Sequence, residues 1–245
     1  WQIQLTDYQI TQLPHYPMPA SAVLLSGGLD SAVLLAEEAS RFDVQPIYVS
    51  VGLAWERAER DAVARFLASS GLARMRPLVS LAVDMRDVYA ATHWAMTGHP
   101  PGYHTPDEDV YLPGRNIVLL GKAGVFCASR GIERLVIGTL DHNPFPDATP
   151  AFRAAMASAL SLGLSCPIDI DAPYARVGKA DVIRRGTARH LPLALTLSCM
   201  SPVEHEGHAS FRHCGRCSKC RERHDAFLEA GVPDHTDYAD RAYTS

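Results

Sequence analysis

The sequence predicts an α/β fold: a doubly wound parallel sheet with a small C-terminal metal-binding lobe. Three observations lead there. Short apolar runs alternate with amphipathic stretches at helical spacing through residues 21–190. The first run hands over to a helix through two adjacent glycines, Gly27 and Gly28. Four of the six cysteines crowd between Cys199 and Cys220. With 245 residues, 47% hydrophobic and 20% charged, the chain can fill one sizeable core, and this composition argues against wholesale disorder.

Residues 1–20 hold prolines at 14, 17 and 19 and read as an extension laid over the domain. Ala22–Leu25 is an apolar run stopped by Ser-Gly-Gly, the pattern of a buried parallel strand. Asp30–Ser40 follows as a helix with Val33, Leu34 and Leu35 on its buried side. Pro46–Val51 predicts the second strand, Trp55–Ala68 the second helix through Ala58, Ala62 and Phe66, and Leu78–Val83 the third strand. Residues 86–114 break the rhythm with three glycines and four prolines, and a loop of that length is expected to cover substrate. Helix Asn116–Ser129, strand Leu135–Gly138, helix Pro150–Leu162 and helix Lys179–Arg189 complete the alternation, which leaves 191–245 as a separate C-terminal lobe. In such a sheet, ligands bind at the carboxyl ends of the strands.

Net charge is -4, so there is no basic footprint for nucleic acid, apart from a local cluster of Arg184, Arg185 and Arg189. No run of eighteen apolar residues and no basic-then-apolar leader stands out, which gives a cytoplasmic expectation with no membrane partner.

Ser26-Gly27-Gly28-Leu29-Asp30-Ser31 occupies the first strand-to-helix turn. Two glycines let the backbone turn tightly and approach a ligand, and successive N–H groups at a helix start form a nest for phosphate oxygens. Ser26 and Ser31 add hydroxyls. Asp30 beside an anion site implies a bridging cation, for which Mg2+ is the natural choice. The plain alternative is an ordinary turn with Asp30 at the helix start. The six-residue string matches the SGGxDS signature of the PP-loop ATP pyrophosphatases and differs from both the Walker loop and the dinucleotide GxGxxG. That resemblance implies ATP held by its β- and γ-phosphates, pyrophosphate as leaving group, and attack on the α-phosphorus.

Cys199, Cys214, Cys217 and Cys220 are spaced C-x14-C-x2-C-x2-C. Paired x2 spacings with a distant fourth ligand suit a closed tetrahedral Zn2+ site of structural type. An iron–sulfur cluster, or a ligand set including His205, His208 or His213, are the rivals. Clustering in a chain without a secretion signal argues against disulfides. Cys127 and Cys166 read as core residues.

Taken with these, Pro113-Gly114-Arg115-Asn116, Ile137-Gly138, Asp141, Phe145-Pro146-Asp147, Lys179, Ser198-Cys199 and Cys214 to Arg223 follow one another as in the 7-cyano-7-deazaguanine synthase family. The resemblance spans residues 20 to 234. It implies an ATP-dependent carbon–nitrogen ligase of queuosine precursor biosynthesis, acting on small molecules (ATP, ammonia, a deazapurine carboxylate) as a homodimer. In that reading Asp30, Lys179 and Arg115 do the catalytic work, and the last two meet polyphosphate or carboxylate charge. Asn116, Asp141 and Asp147 are substrate-side candidates, although both aspartates could instead hold Mg2+ or cap turns.

Two segments depart from the family. Its Tyr-Gly-Gln-Arg-His-x-x-Glu string is Gly52-Leu53-Ala54-Trp55-Glu56-Arg57-Ala58-Glu59 here, and its Cys-Arg beside the position of Asp147 is Ala148-Thr149. These changes raise two alternatives: a paralogue that adenylates another acceptor, and a sulfur-transfer enzyme acting on tRNA.

Overall fold

The computed structural model describes residues 19–205 and 210–242. Five parallel strands form the central sheet: β1 (Ala20–Leu24), β2 (Asp43–Ser50), β3 (Val79–Ala82), β4 (Arg134–Val136) and β5 (Asp169–Asp171), in the order β3-β2-β1-β4-β5. The order reverses direction at β1, which pairs with both β2 and β4 and so opens a crevice at its carboxyl end.

Alternation along the strands sorts side chains to two faces. Ala22, Leu24, Ile47, Val49 and Leu135 join one core cluster, and Val23, Leu25, Val44, Tyr48 and Val136 join the other. Helices α4 (Arg115–Ser129) and α5 (Pro150–Leu164) cover the first face, and α1 (Leu29–Ala39) and α6 (Lys179–Ala188) cover the second. α2 (Glu56–Ser69) contributes to both, through Ala58 and Ala62 on one side and Val63 and Phe66 on the other.

The predicted doubly wound sheet is present, with local corrections. β5 escaped the sequence pattern because Asp169-Ile170-Asp171 buries only its middle residue. Within 86–114, read as loop, lie the short helix α3 (Trp94–Thr97) and a 3-10 turn, Asp107–Val110. Buried Ala95 and the N-capping imidazole of His93 give α3 local support that a proline- and glycine-rich composition hides. The segment after 191 has a two-stranded antiparallel sheet, β6 (Val203–Glu204) with β7 (Phe211–Arg212), and the helix α7 (Ser218–Ala230). α7 packs along α6 and sends Phe227 into the second core cluster.

The arginine cluster is not a free basic patch. Arg185 and Arg189 reach Glu37 at 3.7 and 3.3 Å, and Arg184 bonds Asp181 at 2.5 Å and the Glu229 carbonyl at 2.6 Å. Its charge is spent fastening α6 to α1 and α7. The extension at 1–20 lies outside the described residues except for its last two, and so does His208. No described helix is long and apolar enough to cross a membrane.

Candidate active site

The turn after β1 is shaped by glycine. Gly27 adopts φ +81°, and a Cβ there would come within 2.9 Å of the Glu59 carbonyl oxygen. Its own carbonyl accepts the Leu197 N–H at 2.8 Å, which ties the turn to the C-terminal lobe. Ser31 Oγ donates to the Gly28 carbonyl at 3.0 Å, and Ser26 Oγ accepts the Gly28 N–H at 3.3 Å. Gly28 is the N-cap of α1, and no side chain caps this helix end. The donors of the first turn thus stay available to an anion at the positive end of the helix dipole.

Asp30 leaves this turn toward Lys179, the first residue of α6. Lys179 Nζ lies 3.3 Å from Asp30 Oδ2 and 2.6 Å from Glu222 Oε1, while Lys219 Nζ reaches Glu222 Oε2 at 2.5 Å. Burial disfavours the charge of Lys179, but Asp30 and Glu222 outweigh it and hold the ammonium protonated above the ordinary lysine range. Burial dominates at Asp30 and raises its carboxyl, with Lys179 opposing. Asp30 Oδ1 is enclosed and has no hydrogen-bond partner among the described residues. A buried carboxylate oxygen left open beside two serine hydroxyls fits a hard cation with oxygen ligands.

Two adjoining cavities, about 250 and 310 Å³, meet at Ser26, Gly28, Asp30, Glu59 and Arg115. Their similar size does not assign them; their linings do. The first runs along the ends of β1 and β2 past Tyr48, with Tyr111 stacked on Phe145 at 5.1 Å. The second lies between α2, the 86–114 segment and the C-terminal lobe, and is lined by Trp55, Trp94, Met200, Lys179 and Lys219. At their junction Arg115 approaches Glu59 at 3.9 Å. Glu59 also accepts from Tyr48 OH and Trp55 Nε1, each at 3.0 Å, and its carboxyl is raised by burial against the pull of Arg115.

Of the substrate-side candidates, Asp147 is buried and accepts the Asn116 N–H at 3.0 Å, while Asn116 Nδ2 donates to the Asp147 carbonyl at 3.1 Å. The pair caps the start of α4 at the wall of the first cavity. Asp141 is exposed, accepts from the His142 backbone and borders the second cavity.

Sγ atoms of Cys199, Cys214, Cys217 and Cys220 all lie within 4.8 Å of one another, with three of the separations at 3.5, 3.9 and 4.0 Å. Four thiolates around one ion at about 2.3 Å stand roughly 3.8 Å apart. The donor set therefore fits a single tetrahedral metal ion. His213 is not part of it, because its Nε2 accepts the Ser198 N–H at 3.0 Å.

A family model described as "Queuosine biosynthesis protein QueC" matches residues 20–231, which takes in the glycine turn, both cavities and the cysteine cluster. The chain belongs to the QueC family. Relatives named 7-cyano-7-deazaguanine synthase support this. The one from Azoarcus sp. (strain BH72) is 32% identical and covers 91% of this chain and 99% of its own. That of Anaeromyxobacter dehalogenans (strain 2CP-C) is 33% identical, covering 89% and 95%, and that of Thiobacillus denitrificans (strain ATCC 25259 / T1) is 33% identical, covering 90% and 99%.

Against the QueC pattern, the altered residues separate by position. Glu56 folds back on the turn before α2, accepting the Val51 and Gly52 N–H groups at 2.6 and 2.9 Å, a structural task. Thr149 caps α5 by accepting the Phe152 N–H. Trp55 alone of these three lines a cavity. Glu222, Lys219 and Trp94 were missed by sequence reasoning. The first two sit at open positions of the Cys-x-x-Cys-x-x-Arg string and the third in an apparent loop, so no local signal marked them.

Proposed function

We propose that this chain is an ATP-dependent carbon–nitrogen ligase that converts 7-carboxy-7-deazaguanine and ammonia into 7-cyano-7-deazaguanine. The observation that carries the reading is the convergence of two cavities on Ser26, Gly28 and Asp30. An adenylating enzyme needs a nucleotide and an acceptor to meet at one phosphorus, and the relatives' name supplies the acceptor.

In this reading ATP lies in the first cavity with its adenine beside Tyr111 and Phe145 and its β- and γ-phosphates on the glycine turn. Asp30 would hold Mg2+, which supplies charge neutralisation at the departing pyrophosphate. Lys179 meets the remaining phosphate charge, and Arg115 orients the acceptor carboxylate at the junction. A carboxylate oxygen attacks the α-phosphorus and pyrophosphate leaves. Ammonia then displaces AMP to form the amide. A second ATP activates the amide oxygen, and loss of AMP gives the nitrile. No serine or cysteine nucleophile is required.

Zn2+ is the ion we assign to the four cysteines, since four thiolates in a closed set are its usual structural site. The sulfur-transfer alternative needs a reactive thiol outside that set, and neither Cys127 nor Cys166 lines either cavity. We further assign the chain to the cytoplasm and to a homodimer. Exposed Ile117 and Val125 of α4 and Leu162 of α5 are the apolar side chains we assign to such an interface.

Incubating purified protein with ATP, ammonium and 7-carboxy-7-deazaguanine tests the reading. Nitrile by mass spectrometry, with AMP and pyrophosphate, is expected. AMP release with a different acceptor and none with this one would overturn it in favour of the paralogue.

A further inference from the structure

Two tryptophans frame the second cavity from different parts of the chain. Trp55 closes the turn before α2, is 5% exposed, and is fixed by its indole N–H bond to Glu59. Trp94 opens α3 on the 86–114 segment and is only half-buried. The two rings are 2° from parallel with centroids 5.7 Å apart, an offset stack of the kind aromatic quadrupoles favour. The Ala54 N–H donates to the Ala95 carbonyl at 3.0 Å, so the backbone beside each indole is pinned as well. Core packing accounts for Trp55, while Trp94 packs on the rim of the same core and keeps part of its indole open at the edge of the cleft. The same cavity is bordered by Asp107, whose Oδ1 accepts from Arg221 at 3.2 Å and whose side chain is partly open to solvent.

The geometry points to the Trp55–Trp94 stack as the platform that recognises a planar, fused-ring heteroaromatic acceptor, with Asp107 accepting from ring N–H donors at its edge. The assignment rests on the proposed function for placing the acceptor in this cavity. It gives Trp55, the one altered residue of the family string that reaches the cleft alongside conserved-type Glu59, a task in choosing the acceptor. Trp55 is rigid and supports Trp94, which makes the contact. Aromatic platforms of this kind bind fused rings with little demand on ring identity, and the carboxylate adds the demand for N–H donors.

Calorimetric titration and steady-state kinetics on Trp94→Ala, Trp94→Phe and Asp107→Asn test this. Trp94→Ala is expected to raise both Kd and KM for 7-carboxy-7-deazaguanine by about 10-fold or more, with the ATP KM within twofold of wild type. Trp94→Phe should recover most of the loss, and Asp107→Asn should weaken the deazaguanine acid more than a bicyclic acid lacking ring N–H groups. In the wild type, binding of the acid should quench tryptophan fluorescence. Unchanged acceptor affinity in Trp94→Ala overturns the platform. So does an equal loss of ATP affinity, which would mark a general opening of the cleft. The parent reading fails separately: wild-type protein that binds the acid yet releases no AMP overturns the ligase and leaves the platform standing.

Discussion

Lys179 Nζ lies 2.6 Å from Glu222 Oε1, and this contact joins the glycine turn to α7, the helix that carries Cys220 and starts from Cys217 as its N-cap. Glu222 follows Cys220 by two residues, so whatever fixes the cysteines fixes the carboxylate that steadies Lys179. Its neighbours extend the same role. Arg221 grips the Tyr103 and Thr105 carbonyls of the covering segment at 2.7 and 3.0 Å. Buried Arg223 holds Thr236 and Thr196 at 2.7 and 2.9 Å. Replacing Lys179 by Ala leaves buried Asp30 without its cation and Glu222 with Lys219 alone. We expect a stability loss of about 3 kcal/mol in urea unfolding, together with loss of ATP binding by calorimetry. An unchanged unfolding midpoint would mean that the two carboxylates find other partners.

Asp30→Asn should separate activity from stability. Burial raises the Asp30 carboxyl, which means its ionised form is a cost to the folded state, met in part by Lys179. The amide removes that charge but cannot serve a cation as a carboxylate does. AMP formation is expected to fall by about 100-fold or more, with a melting temperature equal to or above that of wild type. Turnover near the wild-type rate would remove Asp30 from the pyrophosphate site.

Metal removal should be felt at the glycine turn. One ion per chain is expected by elemental analysis, and Cys217→Ser should lower that occupancy. In the stripped protein the start of α7 loses its anchor, which costs several kcal/mol as an order of magnitude. With it go the Lys179–Glu222 contact and the hold of Arg221 on residues 103–105. The prediction is a weaker ATP affinity in a protein whose sheet, read by far-ultraviolet circular dichroism, remains intact. ATP affinity that survives metal loss would make the cluster a local staple.

Cys127 gives a pH signature. Burial in the core beneath α4 pushes its thiol up to about 12 from an ordinary value of 9.0. Below pH 9 the folded and unfolded chains both keep the proton, so stability is unaffected. Between pH 9 and 12 the unfolded chain releases a proton that the folded chain retains, and stability falls as pH rises. Cys127→Ala should flatten that part of the unfolding profile. Native protein at pH 8 should leave Cys127 unmodified by iodoacetamide while half-buried Cys166 reacts.

Ile117, Val125 and Leu162 test the dimer. Leu162→Lys, at a side chain 79% exposed, is expected to shift sedimentation from two chains to one without altering the melting temperature by more than a few degrees. A wild-type monomer would dismiss the assignment.

Sequence by itself determined the parallel sheet, the glycine turn and the cluster of four cysteines. Each rests on local causes: an apolar run ending in Gly-Gly, a positive φ that Gly27 tolerates, and thiols at x2 spacing. It also named Asp30, Lys179 and Arg115, which the fold brings to the same pair of cavities. Only the tertiary structure decided how they are used. Asp147 and Asn116 turned out to cap α4, because the 3-10 turn at Pro146–Ala148 passes beside its first residue. Glu222 and Trp94 entered the site from a helix face and a short segment whose composition hides them. Their partners, Lys179 and Trp55, lie 43 and 39 residues away in the chain. Contacts across such distances depend on how helices pack on the sheet, which no local pattern records.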